Sequence, residues 1–161
     1  MQYVSSFPAV ASLDYGTRST APSLRDGDLA IAVQCTRRSL RSLDLRGAQR
    51  LSAQGFSALS YASGLRRLAL DGSSLCDDAL QSLRGLSSLE HLSARSCLRL
   101  SGYGLSALRH AGLRSLDLAG CGLSLREPGG AALAALGTLS SLEALDLSSN
   151  GALDGPTAAR A

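Results

Sequence analysis

The 161-residue chain contains no lysine and no tryptophan, and only one methionine, one isoleucine and one asparagine. The missing lysine excludes side-chain acetylation and ubiquitination of these residues. Aromatic residues make up 4%. Binding hot spots usually rest on Trp, Tyr and Arg, so a partner surface here must rely on the 16 arginines. No apolar run approaches the ~20 residues of a membrane-spanning helix, and no membrane insertion is expected. The first twelve residues lack a charged stretch followed by an apolar one, so they do not read as a secretory signal. Catalytic signatures are missing too. There are two histidines, His91 and His110, and no Gly-x-Ser-x-Gly elbow, phosphate-binding glycine loop or Cys-x-x-Cys pair. These absences argue against an enzyme and against a bound cofactor or metal. The net charge is +3, without the basic stripe and stacking aromatics of a nucleic-acid binder. With no secretion signal, the four cysteines are expected as reduced thiols, which implies an intracellular, reducing compartment, the cytoplasm first and an organelle or cilium next.

Leucine is abundant, at 33 residues. A compact globule needs large side chains of several shapes, whereas a stack of identical units needs one aliphatic residue at each equivalent slot. The phrase Leu-x-x-Leu-x-Leu occurs at Leu40-Leu43-Leu45, Leu65-Leu68-Leu70, Leu113-Leu116-Leu118 and Leu142-Leu145-Leu147. A fifth copy, Leu89-Leu92-Ala94, differs only at its last position. The starts lie 25, 24, 24 and 29 residues apart. The alternation within the phrase predicts a short strand with its leucines facing inward. In the second half of each unit the apolar residues change to helical spacing: Leu51, Phe56, Leu59; Leu75, Leu80, Leu83; Leu100, Leu105, Leu108. That predicts a helix on the opposite side, its apolar stripe against the strand leucines. Upstream, Val10-Leu13-Tyr15 reads as a worn strand phrase, and Leu24 and Leu29 continue it after a loop. The expected division is an N-terminal tail (1–9), the repeats (10–153) and a C-terminal tail (154–161).

A period in the twenties carrying this phrase resembles the leucine-rich repeats. The resemblance implies an α/β fold, a right-handed βα horseshoe segment of five to six repeats. More narrowly, Leu89-Glu90-His91-Leu92-Ser93-Ala94-Arg95-Ser96-Cys97 and the run from Leu113 to Cys121 resemble the first half of the cysteine-containing class. Leu75-Cys76-Asp77-Asp78-Ala79-Leu80-Gln81-Ser82-Leu83 resembles its second half, and Leu24-Arg25-Asp26-Gly27-Asp28-Leu29 with Cys35 is similar to an opening segment. Ser52 and Ser101 keep the Ser of that second half without its Asp, and position nine is Ala48, Ser73 or Asn150 in the other repeats. A thiol or an amide at position nine can satisfy backbone groups where the chain leaves the strand. Ser52, Asp77 and Ser101 stand where helices should start and are expected to cap them. The class is best known from F-box proteins, substrate receptors of cullin-based ubiquitin ligases, but from Val10 onward this chain already reads as repeat. The implied function is a non-enzymatic protein–protein interaction module, a scaffold or subunit of a larger assembly. The alternative is the substrate-recognition portion of an F-box receptor whose F-box lies outside this chain.

The x positions of the strand phrases should face solvent on the concave side. The central column reads Asp14, Asp44, Ala69, Ser93, Asp117, Asp146. The column before it reads Ser12, Ser42, Arg67, His91, Ser115, Ala144, and the one after it Gly16, Arg46, Asp71, Arg95, Ala119, Ser148. Repeats stacked roughly 5 Å apart make these columns continuous stripes. The candidate partner-binding residues on this face are Asp44, Arg46, Arg67, Asp71, His91, Arg95, Asp117 and Asp146. A second candidate surface is the last repeat, where Leu142, Leu145, Leu147 and Leu153 should be exposed on an open end. A third is the insertion around Arg126, Glu127 and Pro128.

Overall fold

The computed structural model describes residues 10–16, 23–110, 112–123 and 131–150. The expected tails, Leu153 and the insertion around Glu127 lie outside these residues. Six three-residue strands, β1 (Ser12–Asp14), β2 (Ser42–Asp44), β3 (Arg67–Ala69), β4 (His91–Ser93), β5 (Ser115–Asp117) and β6 (Ala144–Asp146), form one parallel sheet in sequence order. Their register is one to one, so Leu13, Leu43, Leu68, Leu92, Leu116 and Leu145 stand in line. The other phrase leucines from Leu40 to Leu118 are fully buried beside this row. Such a stack of strand, turn and helical segment is a leucine-rich-repeat-like solenoid.

The ladder extends past the strands. Leu45, Leu70, Ala94 and Leu118 donate their amides to Ala69, Ser93, Asp117 and Asp146 of the next repeat. Gly47, Gly72, Ser96 and Gly120 donate likewise to Asp71, Arg95, Ala119 and Ser148. At this eighth position the backbone turns with positive φ in every repeat from the second on: Gly47 73°, Gly72 61°, Ser96 53°, Gly120 68°, Ser149 57°. Glycine enters that region without steric cost, which accounts for its recurrence. One residue later the chain dives into the core, where Ala48, Ser73, Cys97, Cys121 and Asn150 are buried. The Cys97 and Cys121 thiols donate to the carbonyls of Leu70 and Ala94 in the preceding repeat, at 3.2 and 2.9 Å. Asn150 does the same toward Leu118 at 2.9 Å, and its side-chain oxygen also accepts the Leu123 amide. Burial pushes the Cys97 thiol up and the Cys121 thiol up to about 11, so both stay protonated as these donors.

The opposite layer carries α1 (Asp26–Thr36), α2 (Ala53–Phe56), α3 (Asp77–Leu80) and α4 (Ala131–Gly137). The predicted stripes from Leu51 to Leu108 are all buried in it. The helical form departs from expectation. α2 and α3 last one turn and continue as 3-10 helix over Ser57–Tyr61 and Gln81–Gly85, while Tyr103–His110 is 3-10 throughout. Parallel strands sit ~4.8 Å apart, whereas packed α-helices prefer 8–10 Å. A tighter helix and small contact residues reduce that mismatch.

The caps differ from the sequence expectation at Asp77. Ser52 does cap its own helix, accepting the Gly55 amide at 3.2 Å. Asp77 instead serves the next repeat. Its carboxylate accepts Ser101 N and Oγ at 3.0 and 2.6 Å, and the Gly102 and Gly104 amides at 3.2 and 2.9 Å. Asp26 holds Ser52 N and Oγ in the same way, at 2.9 and 2.6 Å. A Cβ on Gly104 would lie 2.7 Å from the Asp77 carbonyl oxygen, and one on Gly55 would run into the Asp26 carboxylate. The three positions therefore vary together across repeats. Asp26 goes with Ser52 and Gly55, Asp77 with Ser101 and Gly104, and Ala53, which has no carboxylate, with Cys76 and Ala79. The carboxylates that hold Ser52 and Ser101 stand one repeat upstream, at Asp26 and Asp77.

Burial raises the Asp77 carboxyl, but hydrogen bonds from Ser101 Oγ and from the Gly104, Ser101 and Gly102 amides outweigh it and hold it below the usual value. Its stabilising effect is therefore present above the ordinary Asp range near pH 4 and is lost as pH falls through the depressed folded value. Asp77→Asn should lower unfolding free energy by ~2 kcal/mol at pH 7, the scale of hydrogen bonds to a charged group. Urea titrations at pH 7 and pH 3 should show the difference from wild type shrinking at the lower pH; an equal difference at both would remove the charged cap. In the core, Leu92 is 2% exposed. Leu92→Asp should unfold the chain by circular dichroism, because it buries a carboxylate without a partner. Ser115→Asp, on the solvent side of β5, should leave the melting temperature within ~2 °C, as surface changes usually do.

Candidate binding surface

The strand register fixes the outer sheet face. Because side chains alternate along a strand, the residues on either side of each inward leucine point away from the core. Ser42, Arg67, His91 and Ser115 therefore form one row, and Asp44, Ala69, Ser93 and Asp117 the next. Both rows are the columns expected from the sequence. They line a shallow depression of about 470 Å³ that brings together Asp44, Arg46, Arg67, Asp71, His91 and Asp117. Arg95 borders it through Asp117, and Asp146, in register with Asp117 on β6, lies next to its edge.

Most charged groups on this face are already engaged. The central-column aspartates are turn-formers: Asp14, Asp44, Asp117 and Asp146 each accept the amide two residues on, at 2.8, 3.0, 3.1 and 2.9 Å. This is an Asx turn, an Asp bonding to its own backbone as the chain leaves the strand. Repeat four has Ser93 in place of Asp, and Asp71 of the previous repeat fills the role. Its Oδ1 accepts the Arg95 amide at 3.0 Å and the Ser93 hydroxyl at 2.5 Å. The acidic ends of the face thus have a folding role that the column pattern did not reveal. The signal available in the sequence was the recurrence of Asp two residues after the first strand residue in four of six repeats.

The arginines follow the same pattern. The Arg46 guanidinium grips Asp44 with Nε to Oδ2 at 2.8 Å and a terminal nitrogen to Oδ2 at 2.5 Å. Burial raises the Asp44 carboxyl, but the Arg46 side-chain and backbone hydrogen bonds and the Arg46 charge outweigh it and hold it below the usual range. Arg46 is held above its ordinary value by its hydrogen bond to Asp44 and by that charge, with Asp71 and Asp14 adding further. Arg95 reaches Asp117 one repeat on at 3.1 Å. Along the start of the strands Arg66 pairs with Glu90, and Arg114 with Glu143 at 2.8 Å. Exposed pairs of this kind add little to stability, but they occupy the groups. Arg67 and His91, neighbours in register, make no side-chain hydrogen bond or ion pair among the described residues, and neither do the hydroxyls of Ser42 and Ser115.

At the C-terminal end Leu145 is 44% exposed, while Leu142 and Leu147 are half-buried and packed on the core. The last row of leucines is thus only partly open, and Leu153 lies outside the described residues. His110 is the final residue of its 3-10 helix. Among the described residues no helix is long and apolar enough to cross a membrane.

No protein-family model matches the chain, and no curated protein does. Among solved structures, the chain is similar to an internalin (inlF) of Listeria monocytogenes, at 21% identity over 76% of this chain, with a TM-score of 0.44. The match spans 37% of that structure's chain.

Asp71→Ala should lower stability by ~1–2 kcal/mol, because it strands the Arg95 amide and the Ser93 hydroxyl. Amide exchange should quicken at Arg95, and Asp71→Asn, which keeps an acceptor, should restore part of the protection. Unchanged exchange at Arg95 in the Ala variant would show that Asp71 is free for a partner.

Proposed function

We propose that residues 10–153 form one right-handed horseshoe segment of five to six repeats, of the cysteine-containing class, acting as a non-enzymatic protein–protein interaction module. Such a module would serve as a scaffold or a subunit of a larger assembly, without nucleic acid, cofactor or membrane insertion. The class assignment is supported by Cys97 and Cys121, whose thiols hold the preceding repeat. These bonds need the reduced S–H form, which supports a reducing intracellular setting.

The observation that carries the function is the sheet face. Six strands in unbroken register present a wide polar surface with a shallow central depression. An extended or folded protein segment fits such a surface better than a small molecule, which favours an enclosed, largely apolar pocket. The proposed contact residues are Asp44, Arg46, Arg67, Asp71, His91, Arg95 and Asp117. Asp146, the register neighbour of Asp117 on β6, joins them at the rim. A second reading is favoured by Leu145: its exposure at the end of the leucine row suits a partner that covers Leu142, Leu145 and Leu147.

The two readings separate with one partner, identified by mass spectrometry from the native source and then purified. Ala69→Trp fills the floor of the depression without touching the core and should abolish binding, while Leu145→Ser should leave it within about twofold. The reverse result would assign binding to the C-terminal end. Retention of binding by both variants would remove the sheet-face reading and the end-cap reading together.

A further inference from the structure

The sheet face carries three aspartates and three arginines around its depression, together with His91. Formal charges cancel, but their distribution is uneven. Arg46 is closed onto Asp44 and Arg95 onto Asp117. Asp71 is engaged by the Ser93 hydroxyl and the Arg95 amide. What remains without a side-chain partner among the described residues is the first column: Ser42, Arg67, His91 and Ser115, four consecutive residues in register across β2 to β5. All four side chains can donate hydrogen bonds. The other carboxylates around the depression accept backbone amides, a hydroxyl or their own arginines, and none hydrogen-bonds a side chain of this row.

Resting on the sheet-face reading above, we propose that this column is a carboxylate-recognition stripe for an extended acidic segment of a protein partner. One Asp or Glu side chain is received between Arg67 and His91, roughly 5 Å apart on neighbouring strands. The Arg67 guanidinium offers two parallel N–H donors to the two carboxylate oxygens, the geometry that makes arginine–carboxylate pairs specific. The hydroxyls of Ser42 and Ser115, one strand further on either side, meet the flanking peptide groups. The stripe spans roughly 14 Å from Ser42 to Ser115, the reach of about four extended residues. Local complementarity selects the occupant: an acidic segment finds unengaged donors and the Arg67 charge in this column, whereas the acceptors of the face already receive hydrogen bonds from the chain's own groups.

The test uses octaglutamate as probe and octalysine as control, titrated into the isotope-labelled full chain at low salt. Octaglutamate should shift the NMR signals of the Arg67 and His91 side chains and of the Ser42 and Ser115 amides. Arg67→Ala should weaken this binding about tenfold, the worth of one charge-assisted hydrogen bond. Arg84→Ala, on the helical layer, should leave it unchanged. Raising the salt should weaken wild-type binding, as for any exposed ion pair. Equal binding by wild type and Arg67→Ala, shifts confined to other surfaces, or octalysine occupying the same stripe would each overturn the proposal. The purified partner then separates the two levels. If Ala69→Trp abolishes partner binding and Arg67→Ala leaves it intact, the sheet face is the interface and the carboxylate stripe is wrong. If neither variant affects the partner, the sheet-face reading itself fails.

Discussion

The spacing of the parallel ladder governs this molecule. Each repeat exchanges backbone hydrogen bonds with the next, so equivalent residues stand one strand spacing, ~4.8 Å, from their counterparts. A residue type placed once is therefore met by its equivalent above and below. Leucines stack on leucines in rows, which accounts for one aliphatic residue filling so many slots. The same spacing is too close for full α-helices side by side, and between α1 and α4 the opposite layer answers with single α-turns, 3-10 segments and small residues such as Gly55, Ala79 and Gly104.

That spacing also makes hydrogen bonding between repeats as important as hydrogen bonding within one. Asp26 and Asp77 each hold the helix start of the following repeat. Cys97, Cys121 and Asn150 each reach back to a strand-end carbonyl of the preceding one. Asp71 stands in for the aspartate that repeat four lacks. Polar positions that look degenerate when one repeat is compared with a consensus become regular when read in pairs. A missing Asp in one unit is matched by a carboxylate supplied from its neighbour, or by Cys76 and Ala79 in place of Ser and Gly.

The outer face takes its character from the same rule. Aspartates that end the strands satisfy the turn, and Arg46 and Arg95 close onto two of those aspartates, in the same repeat and in the next one. A face with many charged groups thus presents few that are available. Those few are gathered in one column, because one column lies on the side of the strands where no turn needs a carboxylate. Binding capacity on this surface is a matter of which donors the fold leaves unengaged, and the count of charges is a poor guide to it.

The sequence by itself determined the repeat unit, the inward leucines, the outer columns and the burial of both stripes, because strand alternation and helical spacing are local periodicities written into the order of residues. The columns Asp14 to Asp146 and Ser12 to Ala144 follow from the period alone and appear in the observed register. Only the tertiary structure decided what the polar residues do. Asp77 reads as a cap for its own helix and caps the next one; the Asp44 and Asp117 carboxylates read only as surface groups and also accept the amides of their own turns. The left-handed eighth position and the 3-10 character of the helical layer were likewise set by stacking. These choices depend on which neighbour's amide lies within ~3 Å, a distance fixed by the packing of one repeat on another and absent from any single repeat's pattern.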